Sequence, residues 1–240
     1  MTHKAQGEKM PFPPWGLAAV VAALMMLMPP PPAQAQSAEI PNGCQPVVTV
    51  HRANCSAATV MDCQNRFETH SYHEGNIEDI SVFTRDWAMI GYTRLGNPKQ
   101  TLRLEAAENS PPGFSFTQLP HQPLQHHVRP FRFSTNTIEE RPFNAIETYA
   151  LGDTEITISG VPFLRGRLKR IYEPPDPNFP RLEMDVELYL SLESGLLLEG
   201  SFVSRDEGAE VHNVDRTPIA LTIEGQRGFL ATQSAFPCNG

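Results

Sequence analysis

Between residues 181 and 192 the chain reads RLEMDVELYLSL, which sets Leu182, Met184, Val186, Leu188 and Leu190 on one face and Arg181, Glu183, Asp185, Glu187 and Tyr189 on the other. A period of two belongs to an extended strand, where successive side chains point to opposite sides. A helix would scatter the same residues round its circumference. Glu193-Ser194-Gly195 follows as a turn, with a glycine able to take positive φ, and LLLEGSFVSR over 196–205 runs back as a second strand. This hairpin commits the chain to a sheet with one apolar face to bury.

Shorter runs of the same kind surround it: VVTVHR at 47–52, RFETHSY at 66–72, ISVFT at 80–84, WAMIGYT at 87–93, TLRLEA at 101–106, EITIS at 155–159, LRGRLKRIY at 164–172, IALTIEG at 219–225 and GFLAT at 228–232. Spaced by Gly, Pro and Asn turns, they predict a mainly β fold, an antiparallel meander forming a barrel, half-barrel or sandwich. One or two short helices are expected beside it. SAATVMDCQ at 56–64 has Asn54 as a cap, and Asn144 with Glu147 has capping-box spacing with Gly152 beyond it as a stop. Both segments also fit extended chain. The longest irregular stretch, ENSPPGFSFTQLPHQPLQHHVRP at 108–130, is of a length that marks a functional or mobile loop, and a second Pro-rich turn, EPPDPNFP, fills 173–180.

Residues 1–35 have the layout of an export signal. His3, Lys4 and Lys9 precede the apolar run WGLAAVVAALMMLM at 15–28, then four prolines, then Ala33-Gln34-Ala35 as a small-residue cleavage site. The run is shorter than the roughly 20 residues that span a bilayer, and the prolines end any helix there. Cleavage after Ala35 is expected, leaving 36–240 as a single exported β-rich domain, periplasmic or secreted, with no stable membrane insertion; the alternative is a retained anchor. Cys44, Cys55, Cys63 and Cys238 all fall in the exported part, and an even count in an oxidising compartment predicts two disulfides. Four cysteines allow three pairings. The short spacing of Cys55 and Cys63 favours a local loop, which leaves Cys44 to reach Cys238. There is no C-x-x-C for metal or redox chemistry.

A net charge of -8, with no basic run beyond Arg165-Gly-Arg167-Leu-Lys169-Arg170, argues against nucleic acid, whose affinity comes largely from phosphate neutralisation. Those alternating cations read as the solvated face of a strand. G-x-S-x-G, H-E-x-x-H and the phosphate-cradling glycine loops are all absent from the sequence. His70 and His73 fall on opposite faces of a strand, as edge or surface histidines. His121, His126 and His127 share the irregular loop and are the candidate metal ligands. Glu139-Glu140 and Glu183 with Asp185 read as solubilising charges. His51 and Arg52 end the first strand, where they either enter a cavity or meet solvent. Phe114 with Phe116, and Phe131 with Phe133, bracket the histidine loop and read either as ordinary core or as the mouth of an apolar cavity.

An exported, disulfide-linked β domain carrying the long amphipathic hairpin of 181–205 resembles, in architecture, the bacterial periplasmic half-barrels that carry lipid or lipoprotein chains, such as the LolA-like proteins. The resemblance implies an apolar concave face. The expected function is that of a soluble binding or cell-envelope maintenance protein holding a lipid, another apolar ligand or a segment of an envelope partner on a curved sheet, with the Phe-bearing loop as lid and no cofactor. The alternatives are a metal-dependent or hydrolytic enzyme using the loop histidines, and a structural assembly subunit.

Overall fold

The computed structural model describes residues 37–95, 101–176, 181–206 and 209–238. The segment expected as an export signal lies outside them. Among the described residues there is no helix, and thirteen strands form one antiparallel sheet. They are β1 (Gln45–Arg52), β2 (Ala57–Asp62), β3 (Arg66–His73), β4 (Asn76–Thr84), β5 (Met89–Arg94), β6 (Leu102–Ala106) and β7 (Leu124–Thr135), followed by β8 (Arg141–Ile158), β9 (Val161–Glu173), β10 (Leu182–Ser191), β11 (Leu196–Asp206), β12 (Ala209–Val214) and β13 (Pro218–Thr222). Neighbours follow chain order from β1 to β12, and β13 then pairs with β1.

That last pairing curls the sheet. Strands β12 and β13 are its two edges, yet the residues 215–217 alone connect them, and four Cα steps reach at most about 14 Å. The edges are therefore drawn together and the sheet closes into a half-barrel with an inner and an outer face. The period-two hairpin forms as expected from β10 and β11, with Leu188 and Leu190 buried. Tyr189 departs from its polar face. It is buried against Gly200, where an added Cβ would come within 2.5 Å of the ring, and its hydroxyl donates to Glu187 Oε2.

Both expected helices are strands. Residues 57–62 form β2, hydrogen-bonded to β1 on one side and β3 on the other, and buried Thr59 and Val60 suit a pleated surface better than a helix. Asn144 and Glu147 sit inside β8 between β7 and β9, so ladder pairing on both edges overrides the capping-box spacing. Gly152 is no helix stop. It lies in an irregularity of β8, where a Cβ would meet the Arg165 carbonyl oxygen at 2.9 Å. The 228–232 run makes only an isolated bridge, Ala231 with Ser37. The irregular loop is shorter than expected, because β7 already begins at Leu124 and carries His126 and His127.

The disulfides are Cys44–Cys63 and Cys55–Cys238, not the pairing that spacing favoured. The reason is β2, which holds Cys55 and Cys63 at its opposite ends, separated by about 20 Å of extended chain. Antiparallel pairing of Gln45 with Asp62 instead brings Cys44 beside Cys63. Cys55 then anchors the C-terminal segment, which crosses the outer face of β1: Leu230 N donates to Thr49 Oγ1, Ala235 N to His51 Nδ1 and Ser234 N to the Cys55 carbonyl. Residues 48–52 of β1 and 57–61 of β2 are buried on both faces.

Two outcomes follow for stability. Replacing Cys55 and Cys238 by serine should cost about 5 kcal/mol in urea denaturation, against about 3 kcal/mol for Cys44 and Cys63, because the sequence separations are 183 and 19 residues and longer loops lose more unfolded-state entropy when closed. Burial under the C-terminal segment pulls His51 down from 6.5 to about 4, a shift partly opposed by a backbone hydrogen bond at Gly228. The unfolded chain therefore binds the proton more readily, so the contribution is intact above pH 6.5 and is lost as pH falls toward 4. A urea midpoint that declines over this window in the native chain should decline less in His51→Gln.

Candidate functional site

The inner face of the half-barrel encloses a cavity of about 940 Å³. An up-and-down meander puts its connections alternately at two ends. One end is packed shut. Trp87, in the β4–β5 turn, donates from Nε1 to the carbonyl of Gly195 in the β10–β11 turn and stacks on Phe67. The β6–β7 connection folds over the same end, with Phe114 stacked on Tyr149 at 4.1 Å, and with Phe116 and Leu119 buried. Asp86 holds this connection by accepting from Ser115 Oγ and Thr117 N. At the other end Ile138 of the β7–β8 connection, Arg141 at the start of β8, and Pro174 and Pro175 of the β9–β10 connection line the cavity and form its rim. Between the two ends the wall is largely apolar, with Val50, Phe83, Leu104, Phe133, Val186 and Phe202 on it.

Charge is also built into this interior. Glu147, fully buried on β8, accepts from Arg129 of β7 and Arg170 of β9, its neighbours on either side. Arg129 Nη2 also donates to the Met89 carbonyl at 2.6 Å, and Arg170 Nη2 reaches Glu199 at 3.4 Å. Burial pushes the Glu147 carboxyl up, but the Arg170 and Arg129 guanidiniums with their hydrogen bonds outweigh it and hold the group below its ordinary value. Gly113 is required beside this knot, since a Cβ there would lie 2.7 Å from Arg129 Cζ.

A second polar group lies on the cavity wall near the end of β1. Arg52 donates from Nη1 to Ser71 Oγ at 3.3 Å, and Arg216, in the β12–β13 link, donates to Glu78 at 2.8 Å and Asp79 at 2.9 Å. All five residues line the cavity. Burial, with the positive charge of Arg216 added, pulls Arg52 down to about 10, which leaves it charged at neutral pH.

Of the residues singled out by sequence, Phe133 lines the cavity. Phe131 is buried against Phe143, and Phe114 and Phe116 belong to the plug at the shut end, opposite the rim. The histidines do not converge. His121 is exposed in the β6–β7 connection, while His126 and His127 point to opposite faces of β7, the first toward Thr148 and the second toward Tyr149. Among the described residues the one cluster with metal-ligand spacing is Cys44, Cys63 and Glu68, whose sulfurs are already joined. His70 is buried with Glu68 at 2.9 Å on the outer face, rather than at an edge, and His73 is exposed. Glu183, Asp185 and Glu140 form exposed or part-exposed ion pairs with Lys169, Arg205 and Arg132, of the kind that contributes little.

The residues that sequence reasoning missed are arginines. Arg170 belongs to a run that reads as a solvated face, but it shares parity with buried Leu168 and faces inward, whereas Arg165, Arg167 and Lys169 face out. The same alternation places Arg129 with Phe131. No family model, no curated protein and no solved structure matches this chain.

Glu147→Gln would leave two guanidiniums buried without their shared counter-charge. A loss of about 3–5 kcal/mol is expected in urea denaturation, with Gly113→Ala costing about 1–3 kcal/mol by displacing Arg129.

Proposed function

We propose that this chain is a non-catalytic binding protein of the cell envelope that holds a lipid-like chain inside its half-barrel. The observation that carries this reading is the cavity of about 940 Å³, within the range of roughly 300–1,000 Å³ usual for small-molecule sites, with apolar walls, one shut end and one rimmed end. A long alkyl chain suits such a wall, because its burial is driven by area and needs no directional partner. Two disulfides favour a place of work outside a reducing cytosol, in keeping with the export signal expected from residues 1–35. The buried Arg129–Glu147–Arg170 knot supports the wall and takes no part in chemistry.

Neutral alkanols of increasing length test this. They should displace N-phenyl-1-naphthylamine with an affinity that rises about fourfold per methylene, the equivalent of about 0.8 kcal/mol per buried CH₂. Met184→Trp, which fills the cavity from a half-buried position on β10, should abolish the displacement while leaving the urea midpoint near that of the native chain. Absence of alkanol binding, or full binding by Met184→Trp, would sink the proposal.

A further inference from the structure

The cavity has a polar pole that the apolar reading does not use. Arg52 is the last residue of β1 and only 5% exposed, and it lines the hollow. Its neighbours Glu78 and Asp79 are both engaged by Arg216, and its own hydrogen bond goes to a neutral hydroxyl, Ser71 Oγ. Among the described residues, Arg52 Nε and Arg216 Nε have no acceptor. The two belong to one patch, since Arg52 pairs with Pro218 and Ala53 N bonds the carbonyl of Thr217, which brings the β12–β13 link alongside the end of β1.

The contrast with the other buried arginines is informative. Arg129 and Arg170, equally buried, are both engaged by Glu147, with a peptide carbonyl and Glu199 taking further donors. Leaving a buried donor unmatched costs free energy, and a guanidinium without a direct carboxylate costs more. At Arg52 the fold carries that cost on a cavity wall, where a ligand can relieve it. The missing chemistry is an acceptor, because Arg has donors only, and a two-oxygen anion matches a guanidinium fork best.

Resting on the cavity reading above, we propose that the occupant is a single-chain amphiphile with an anionic oxyacid head, carboxylate or phosphate monoester, seated at Arg52 and Arg216 with its alkyl chain along the apolar wall. Arg52 contributes Nε and a guanidinium that no carboxylate hydrogen-bonds, the charges of Asp79, Glu199 and Glu78 acting on it only at longer range; Arg216 contributes Nε while its Nη2 stays with Glu78 and Asp79. Ser71 orients Arg52.

Competition with N-phenyl-1-naphthylamine by dodecanol, dodecanoate and dodecyl phosphate, each below its micelle concentration, is the test, with inorganic phosphate and acetate as headgroup-only ligands. At least one of the two anionic amphiphiles should bind ten times or more tightly than dodecanol, and the tighter of the two identifies the head. Arg52→Gln should reduce that preference to within about twofold. Equal affinity of all three twelve-carbon ligands overturns the headgroup assignment and leaves the cavity reading standing; failure of dodecanol together with both anions removes the cavity reading itself. Inorganic phosphate or acetate binding as tightly as its alkyl counterpart also overturns the proposal, since a plain anion site needs no chain. If Arg52→Gln does not fold, the comparison of heads on the native chain decides alone.

Discussion

Three residues between β12 and β13 join the opposite edges of one long sheet, and the rest of the architecture depends on that short tether. A meander of twelve strands could remain an open, twisted ribbon. Because the chain must pass from Val214 to Pro218 and there pair with β1, the ribbon has to bend until its ends meet. Curling gives the sheet an inside, and an inside gives the alternating apolar residues somewhere to go. The same pairing protects β1, which would otherwise be an exposed edge, and the C-terminal segment covers its outer face under a disulfide.

Within this frame the interior is unevenly filled. Aromatic side chains from the β4–β5 turn and the β6–β7 connection pack one end solid, while the middle and the rim stay hollow. The polar groups inside divide in a similar way. Glu147 is satisfied twice over by adjacent strands, and its knot fixes the spacing of β7, β8 and β9 through side chains as well as through the ladder. Buried ion pairs of this kind are poor contributors to net stability compared with apolar packing, but they are costly to break. Arg52 is different, since it is buried with an open donor on a cavity wall.

Much of the fold was legible because strands advertise themselves locally. The alternation at 181–192 placed β10 correctly, and similar runs located β1, β3, β4, β5, β6, β9 and β13 to within a few residues. The errors came where local and non-local signals disagree. Residues 57–62 and 144–147 carry helix-like caps, but in a sheet every interior strand gains hydrogen bonds on both edges, and that gain exceeds a cap. His126 and His127 read as loop residues because the Pro- and Gln-rich composition around them hides the alternation that begins at Leu124. The site was less legible still. Phe133 was found by its aromatic character, but Arg170 was hidden among outward cations, distinguishable only by counting parity from Leu168, and nothing local marks Arg216.

By itself the sequence determined that the chain is β, that its strands have two faces and that four cysteines would make two bridges. These follow from period and count, which need no knowledge of what lies next to what. Tertiary structure decided the pairing of the cysteines, the direction in which each arginine points and the existence of a hollow. Each of these depends on which strands lie side by side, and the hollow in particular follows from the closure of β13 on β1, a contact between residues more than 160 positions apart: His51 is hydrogen-bonded to Thr222 across 171 of them.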